Sequence, residues 1–115
     1  ELVDIPERTA AALKEAKTQG RPIVALGTTS ARALEGMFQQ CAHIAAFKGE
    51  TDIFIYPGFE FKVVDHLITN FHLPRSTLLM LAAALTGREK ILEVYAQAVM
   101  QKYRFFSYGD AMLIL

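Results

Sequence analysis

The sequence holds one cysteine, Cys41, in 115 residues. A single thiol excludes an internal disulfide and a zinc site built from several cysteines. Cys41 is expected to pack as a small apolar side chain. No apolar run approaches the roughly 18 residues of a membrane span. The first residues, Glu1-Leu2-Val3-Asp4, have neither the basic region nor the apolar stretch of a signal peptide. A cytoplasmic setting with no membrane partner is the expectation. An initiator Met is also lacking, so the chain is expected to be a piece of something longer. Excess charge of one sign is absent: 12 Lys and Arg balance 12 Asp and Glu. Nucleic-acid-binding domains are usually basic, which argues against this piece as the main surface for a polyanion. There is no Walker loop, no G-x-G-x-x-G and no metal-ligand spacing.

What is present suits one domain with one core. The chain is 52% hydrophobic and 21% charged, as soluble globular proteins are. Ile5 to Gln19 reads as a helix, with Asp4 and Glu7 spaced like a capping box, Pro6 in the first turn and Gly20 as the stop. Ala12, Leu13 and Ala16 are its expected buried face. Pro22 to Leu26 reads as a buried, parallel strand. The turn Gly27-Thr28-Thr29-Ser30 leads into a helix over Ala31 to Gln40, with Leu34, Met37, Phe38 and Cys41 inward. A strand, a hydroxyl-rich turn and a helix start form a good anion cradle, though a plain capped turn has the same composition.

Ala42 to Asp52 reads as a connection with an exposed turn at Lys48-Gly49-Glu50. Ile53 to Tyr56 reads as a strand, Pro57-Gly58 as a turn, and Val63 to Ile68 as a second buried strand. Asp65 and His66 interrupt that strand and face opposite sides. Arg88 to Tyr103 reads as a cover helix without chemistry. Its apolar stripe is Leu92, Tyr95, Val99 and Tyr103, widened by Ile91 and Ala98. Ala111 to Leu115 reads as a last buried strand. The fold class expected is α/β, a mostly parallel or mixed sheet covered by helices.

The chain is organised around Thr69-Asn70-Phe71-His72-Leu73-Pro74-Arg75-Ser76-Thr77. Polar groups crowd this loop between a buried strand and the all-apolar helix that starts at Leu78. Ser76 or Thr77 can cap that helix, whose free N–H groups favour an anion. The plainer reading is a capped turn whose His and Asn satisfy main-chain groups. Arg104-Phe105-Phe106-Ser107-Tyr108-Gly109-Asp110 is a second polar stretch, in which Arg104 and Asp110 can simply brace the loop.

Asp65 through Met80 resembles the D-x-L-x-T-N-F-H-L-P-K/R-S-T-L-L-M signature of S-adenosylmethionine:tRNA ribosyltransferase-isomerases, the queuosine-pathway family. Val24 to Glu35 is similar to that family's V-A-V-G-T-T-S-x-R-x-L-E. Leu26 and Ala33 are its only departures, both small and apolar. Thr51 to Phe61 follows T-x-x-F-I-x-P-G-Y/F-x-F. Tyr103 to Ile114 matches Y-R-F-F/Y-S-Y/F-G-D-A-M-L-I. The resemblance runs in order along essentially the whole chain.

It implies that residues 1–115 are the C-terminal part of the catalytic α/β domain of a larger two-domain enzyme. The N-terminal part and an inserted β-rich domain would be absent, and Glu1 would close an H-x-M-H-x-E stretch. It implies transfer of the ribosyl part of S-adenosylmethionine to 7-aminomethyl-7-deazaguanine at the tRNA wobble position. Epoxyqueuosine forms, adenine and methionine leave, and S-adenosylmethionine is consumed as substrate, with no metal or other cofactor. His72 is the expected acid/base group, with Asp65 or Asp110 orienting it or facing the sulfonium. Thr28, Thr29, Ser30 and Arg32, with Asn70, Arg75, Ser76, Thr77, Arg104, Ser107 and Tyr108, are the expected substrate-binding residues. The piece alone is expected to be inactive. A stand-alone nucleotide- or protein-binding α/β module is the competing reading. An ordinary methyltransferase is weaker, because its glycine-rich donor loop is missing.

Overall fold

The computed structural model describes residues 1–72, 76–106 and 109–115. Along the described chain run β1 (Leu2–Ile5), α1 (Glu7–Thr18), β2 (Val24–Leu26), α2 (Thr28–Cys41) and β3 (Phe47–Glu50). They are followed by β4 (His66–Asn70), α3 (Thr77–Thr86), α4 (Arg88–Met100) and β5 (Ala111–Ile114). The main sheet has the order β2-β4-β5. β2 and β4 run parallel, with Val24 opposite His66 and Leu26 opposite Ile68. β5 returns antiparallel, with Leu67 opposite Ile114 and Asn70 opposite Ala111. The expected mixed α/β sheet is therefore what forms.

Period-two alternation sorts the sheet's side chains to two faces. Ala25, Leu67, Met112 and Ile114 point into the core with Ala31, Leu81, Ile91 and Tyr95 from α2, α3 and α4. The opposite face is open: Val24 is 47%, Leu26 72% and Leu113 58% exposed. The strands expected to be buried are thus buried on one face only. The buried face of α4 also differs from the expected stripe. Ile91, Tyr95 and Ala98 are inward, whereas Leu92, Val99 and Tyr103 are exposed and the helix ends at Met100.

A second, smaller cluster joins Val3, Ile5, Ala10, Ile23, Met37, Ile44 and Val63, with Cys41 at its margin. It is closed by β1 pairing antiparallel with β3. That pairing corrects two expectations. Asp4 lies in a strand, so it caps nothing, and α1 begins after Pro6 without a side-chain cap. Lys48-Gly49-Glu50 is strand rather than turn, because the apolar Val3 and Ile5 opposite give it a partner to pair with. Ala12 is exposed, and α1 presents Ala10 to the core with Leu13 and Ala16 beside it.

Two further strands are shorter than the apolar runs suggest. Ile53 to Tyr56 keeps the alternation, with Ile53 and Ile55 buried and Phe54 and Tyr56 exposed, but it joins no ladder. Val63 and Val64 are buried outside β4 because another group takes their N–H donors. Glu35, 2% exposed on α2, accepts from the N–H of Lys62 at 2.8 Å, Val63 at 2.9 Å and Val64 at 2.8 Å. Beside it, Gly36 lets α2 approach residue 51: a Cβ there would stand 2.9 Å from the Thr51 Cβ.

Glu35→Gln puts an amide NH₂ against main-chain donors and leaves a buried N–H without an acceptor. The expected cost is about 2–3 kcal/mol, since an unsatisfied buried polar group costs roughly 1–3 kcal/mol and charged acceptors bond more strongly. Urea denaturation checks this, and an unchanged midpoint would rule out the bracing role.

Candidate functional site

In open α/β sheets, ligands bind beyond the carboxyl ends of the parallel strands. At that edge here, a cleft of about 310 Å³ is lined by Leu26, Gly27, Thr28, Thr29, Ile68, Thr69, Asn70 and Ala111. Gly27, at φ 89°, makes the turn from β2 into α2 and donates its N–H to the Ile68 carbonyl at 2.8 Å. Gly27 at the N-cap has no side chain to cap α2, so among the described residues its first-turn N–H groups are open to an anion. The helix begins three residues earlier than expected, because Gly27 supplies the positive φ that ends the strand. Thr28, Thr29 and Ser30 are therefore its first turn, Thr28 buried and the other two exposed.

The second helix start lies close by. Ser76 caps α3, its Oγ accepting from the Leu79 N–H at 3.1 Å, as its place before an apolar helix suggests. Thr77 opens the helix and lines a small hollow together with Arg32 of α2. Arg32 is held there: Nη1 lies 3.0 Å from Glu1 Oε1, and Nη2 donates to the Ile53 carbonyl at 3.3 Å. Thr28, Thr29 and Asn70 thus line the cleft, while Arg32 and Thr77 line the separate small hollow.

Asp110 precedes Ala111 of the cleft wall. Its Oδ2 accepts the Arg104 main-chain N–H and lies 3.5 Å from Arg104 Nε, so the two brace each other. The Arg104 guanidinium lies over Gly109, where a Cβ would come within 2.9 Å of Cζ. Asp65 is at the other end of β4. Its Oδ2 accepts the Ile23 N–H at 2.8 Å and faces Lys17 Nζ at 3.6 Å. The structure does not bring Asp65 to His72. Arg75, Ser107 and Tyr108 lie outside the described residues. Among the described residues, no group of three or more His, Cys, Asp or Glu is placed to hold a metal ion.

His72 is 8% exposed, two residues past the end of β4. Its Nε2 lies 3.0 Å from Thr69 Oγ1, and its main-chain N–H donates to the Tyr95 hydroxyl at 2.8 Å. Burial lowers the His72 pKa below its ordinary value. Burial also raises that of Tyr95, against a smaller opposite effect of the His72 N–H, so the phenol keeps its proton. Tyr95 was read as mere covering; its neighbours Ile91 and Ala98 place it on the buried face of α4. A buried phenol needs a polar partner, which is the signal that marks it.

An unfolded histidine, titrating near 6.5, binds a proton at a pH where the folded one does not. Stability from this group is full above about pH 6.5 and falls as pH drops through the lowered folded value. The expected outcome is a urea midpoint that declines between about pH 7 and 5, with a shallower decline in His72→Gln. Identical pH slopes in the two proteins would overturn the assignment.

Comparison with known proteins agrees along the whole length. A profile of the family described as "Queuosine biosynthesis protein" matches residues 1–114. The S-adenosylmethionine:tRNA ribosyltransferase-isomerase of Oleidesulfovibrio alaskensis is 61% identical over 115 residues, covering 100% of this chain and 30% of that protein. The one from Acinetobacter baylyi is 57% identical over 115 residues, covering 99% of this chain and 33% of that protein. The crystal structure of S-adenosylmethionine tRNA ribosyltransferase from Thermotoga maritima superposes with a TM-score of 0.91 at 54% identity, covering 97% of this chain and 39% of that one. The chain therefore spans about a third of the length of the curated relatives it matches. By its sequence and its fold, the chain belongs to the queuosine biosynthesis protein family.

Proposed function

We propose that the chain is the C-terminal part of the catalytic α/β domain of an S-adenosylmethionine:tRNA ribosyltransferase-isomerase. The whole enzyme would transfer and isomerise the ribosyl group of S-adenosylmethionine onto 7-aminomethyl-7-deazaguanine at the wobble position of tRNA. Epoxyqueuosine is the product, and adenine and methionine are released. S-adenosylmethionine is a substrate in this reading, and no metal or further cofactor takes part. A tRNA substrate implies a cytoplasmic setting. No described helix is long and apolar enough to cross a membrane.

The observation that carries the reading is the cleft at the carboxyl ends of β2 and β4, with the uncapped start of α2 on its wall. The reaction presents anions there: the methionine carboxylate and tRNA phosphates. Main-chain N–H groups and the Thr28, Thr29 and Ser30 hydroxyls suit a carboxylate, and Arg32 supplies a cation nearby. The carbon–sulfur bond breaks with its electron pair on sulfur, which leaves as methionine. The amine of the deazaguanine makes a new carbon–nitrogen bond. Adenine leaves with the glycosidic pair and needs a donor, and the carbon beside the sulfonium, once a base has taken its proton, makes the carbon–carbon bond that replaces the glycosidic one. His72 is the acid/base group in this reading, and Asp110, which precedes Ala111 of the cleft wall, is its carboxylate partner. Asn70 lines the cleft and binds substrate in this reading.

The test is mass spectrometry of a tRNA bearing the aminomethyl-deazaguanine, incubated with S-adenosylmethionine and either the full-length enzyme or residues 1–115. The expected result is epoxyqueuosine and free adenine from the full-length enzyme and none from the 115 residues alone. A full-length enzyme inert on competent tRNA would sink the proposal. His72→Ala in the full-length enzyme is expected to lose on the order of a hundredfold in kcat, as for a positioned acid or base. A loss under about tenfold would remove His72 from that role.

A further inference from the structure

His72 has two ring nitrogens, and the structure treats them differently. Nε2 meets Thr69 Oγ1 at 3.0 Å, inside the protein. Thr69 is 5% exposed, and its hydroxyl has no other partner among the described residues. Two arrangements satisfy that distance. If Nε2–H donated, the Thr69 hydroxyl hydrogen would be buried with no acceptor. If the hydroxyl donates to the Nε2 lone pair, the donor left over is the Nδ1–H, on a nitrogen that the protein does not seal. A sealed donor without a partner costs more than one that water or a ligand can reach, so the second arrangement is the stable one. A neutral ring then carries its proton on the other nitrogen.

That other nitrogen, Nδ1, has no partner among the described residues. Nor is it sealed: the sole buried side-chain polar atom without a partner, among those residues, is His66 Nδ1. We infer that Thr69 locks His72 in the Nδ1–H tautomer, so that His72 offers its ligand a hydrogen-bond donor rather than a base. Tyr95 is a positioning residue. Its hydroxyl takes the His72 main-chain N–H at 2.8 Å, and its ring meets Phe71 edge-on at 5.4 Å and 68°. The chain leading into the imidazole is thereby held on its N-terminal side. The ligand class that fits is a group gaining negative charge, such as a departing heteroaromatic nitrogen or a carboxylate or phosphate oxygen. A neutral imidazole with its proton on Nδ1 can donate it to such a group, which is the acid half of the acid/base role given above. The inference deepens the reading given above and rests on it for the identity of the ligand, though not for the tautomer.

Long-range ¹H–¹⁵N NMR of the ¹⁵N-histidine-labelled full-length enzyme at pH 7 tests it. The expected spectrum has His72 protonated at Nδ1 and bare at Nε2. A proton on Nε2, or on both nitrogens, overturns the inference whatever the enzyme's activity. Thr69→Val keeps the shape but removes the donor, and Thr69→Ser restores it. The valine variant is expected to lose the Nδ1–H preference and on the order of a hundredfold in kcat with KM little changed, as misplaced groups do. The serine variant is expected to recover both. Tyr95→Phe is expected to lower kcat while the tautomer persists. A folded Thr69→Val enzyme with normal kcat would also overturn the inference. Loss of epoxyqueuosine formation in the unmodified enzyme would instead strike the reading of the reaction and leave the tautomer result standing.

Discussion

Glu35 holds three consecutive main-chain N–H groups of a distant segment from the middle of α2. Among the described residues, no other side chain accepts from three consecutive main-chain N–H groups. Val63 and Val64 enter the core without a strand partner, and a single carboxylate satisfies their donors and that of the exposed Lys62. It also ties α2 to the approach of β4. Asp65 continues the join on the other side. Its carboxylate takes the Ile23 N–H, while the N–H groups of Asp65 and His66 donate to the Ile23 carbonyl at 2.9 and 3.2 Å. β2 and β4 are thus set in register at their start, before either reaches the ligand edge. The first turn of α2 and the residues after β4 owe their relative placement to these two acids.

A chain with no net charge can still favour an anion locally. The cleft is walled by the start of α2, where main-chain dipoles rather than a surplus of basic side chains supply partial positive charge. His72, its pKa lowered by burial, adds polarity without formal charge at neutral pH. Net charge is a guide to long-range attraction, and it says little about a cradle of this kind.

The sheet edge was legible from the order of residue types: strand, glycine, hydroxyls and helix, then strand, polar loop and apolar helix. Gly27 and Ser76 do at those turns what their chemistry allows anywhere. What was hidden came from partners far along the chain. Leu2 to Ile5 and Lys48 to Glu50 form a ladder only because each finds the other. Val63 and Val64 read as strand because nothing local reveals that Glu35 takes their donors. The Asp65 pairing with Lys17 and Ile23, and the Tyr95 hydroxyl under His72, are likewise tertiary. The face of α4 was legible in part: Tyr95, Ile91 and Ala98 are buried as expected, while Leu92 and Val99 turn outward and Tyr103 lies past the end of the helix.

The open face of the sheet carries Val24, Leu26 and Leu113 in water. Fully burying side chains of this size contributes about 1.5–3 kcal/mol each. Covering these three is therefore worth several kcal/mol, on the scale of the roughly 5–15 kcal/mol that holds a whole domain folded. Any surface that lies on that face acts on the folding equilibrium as a tight ligand does. The folded lifetime of this unit is then a joint property of its own core and of whatever occupies the second side of its sheet.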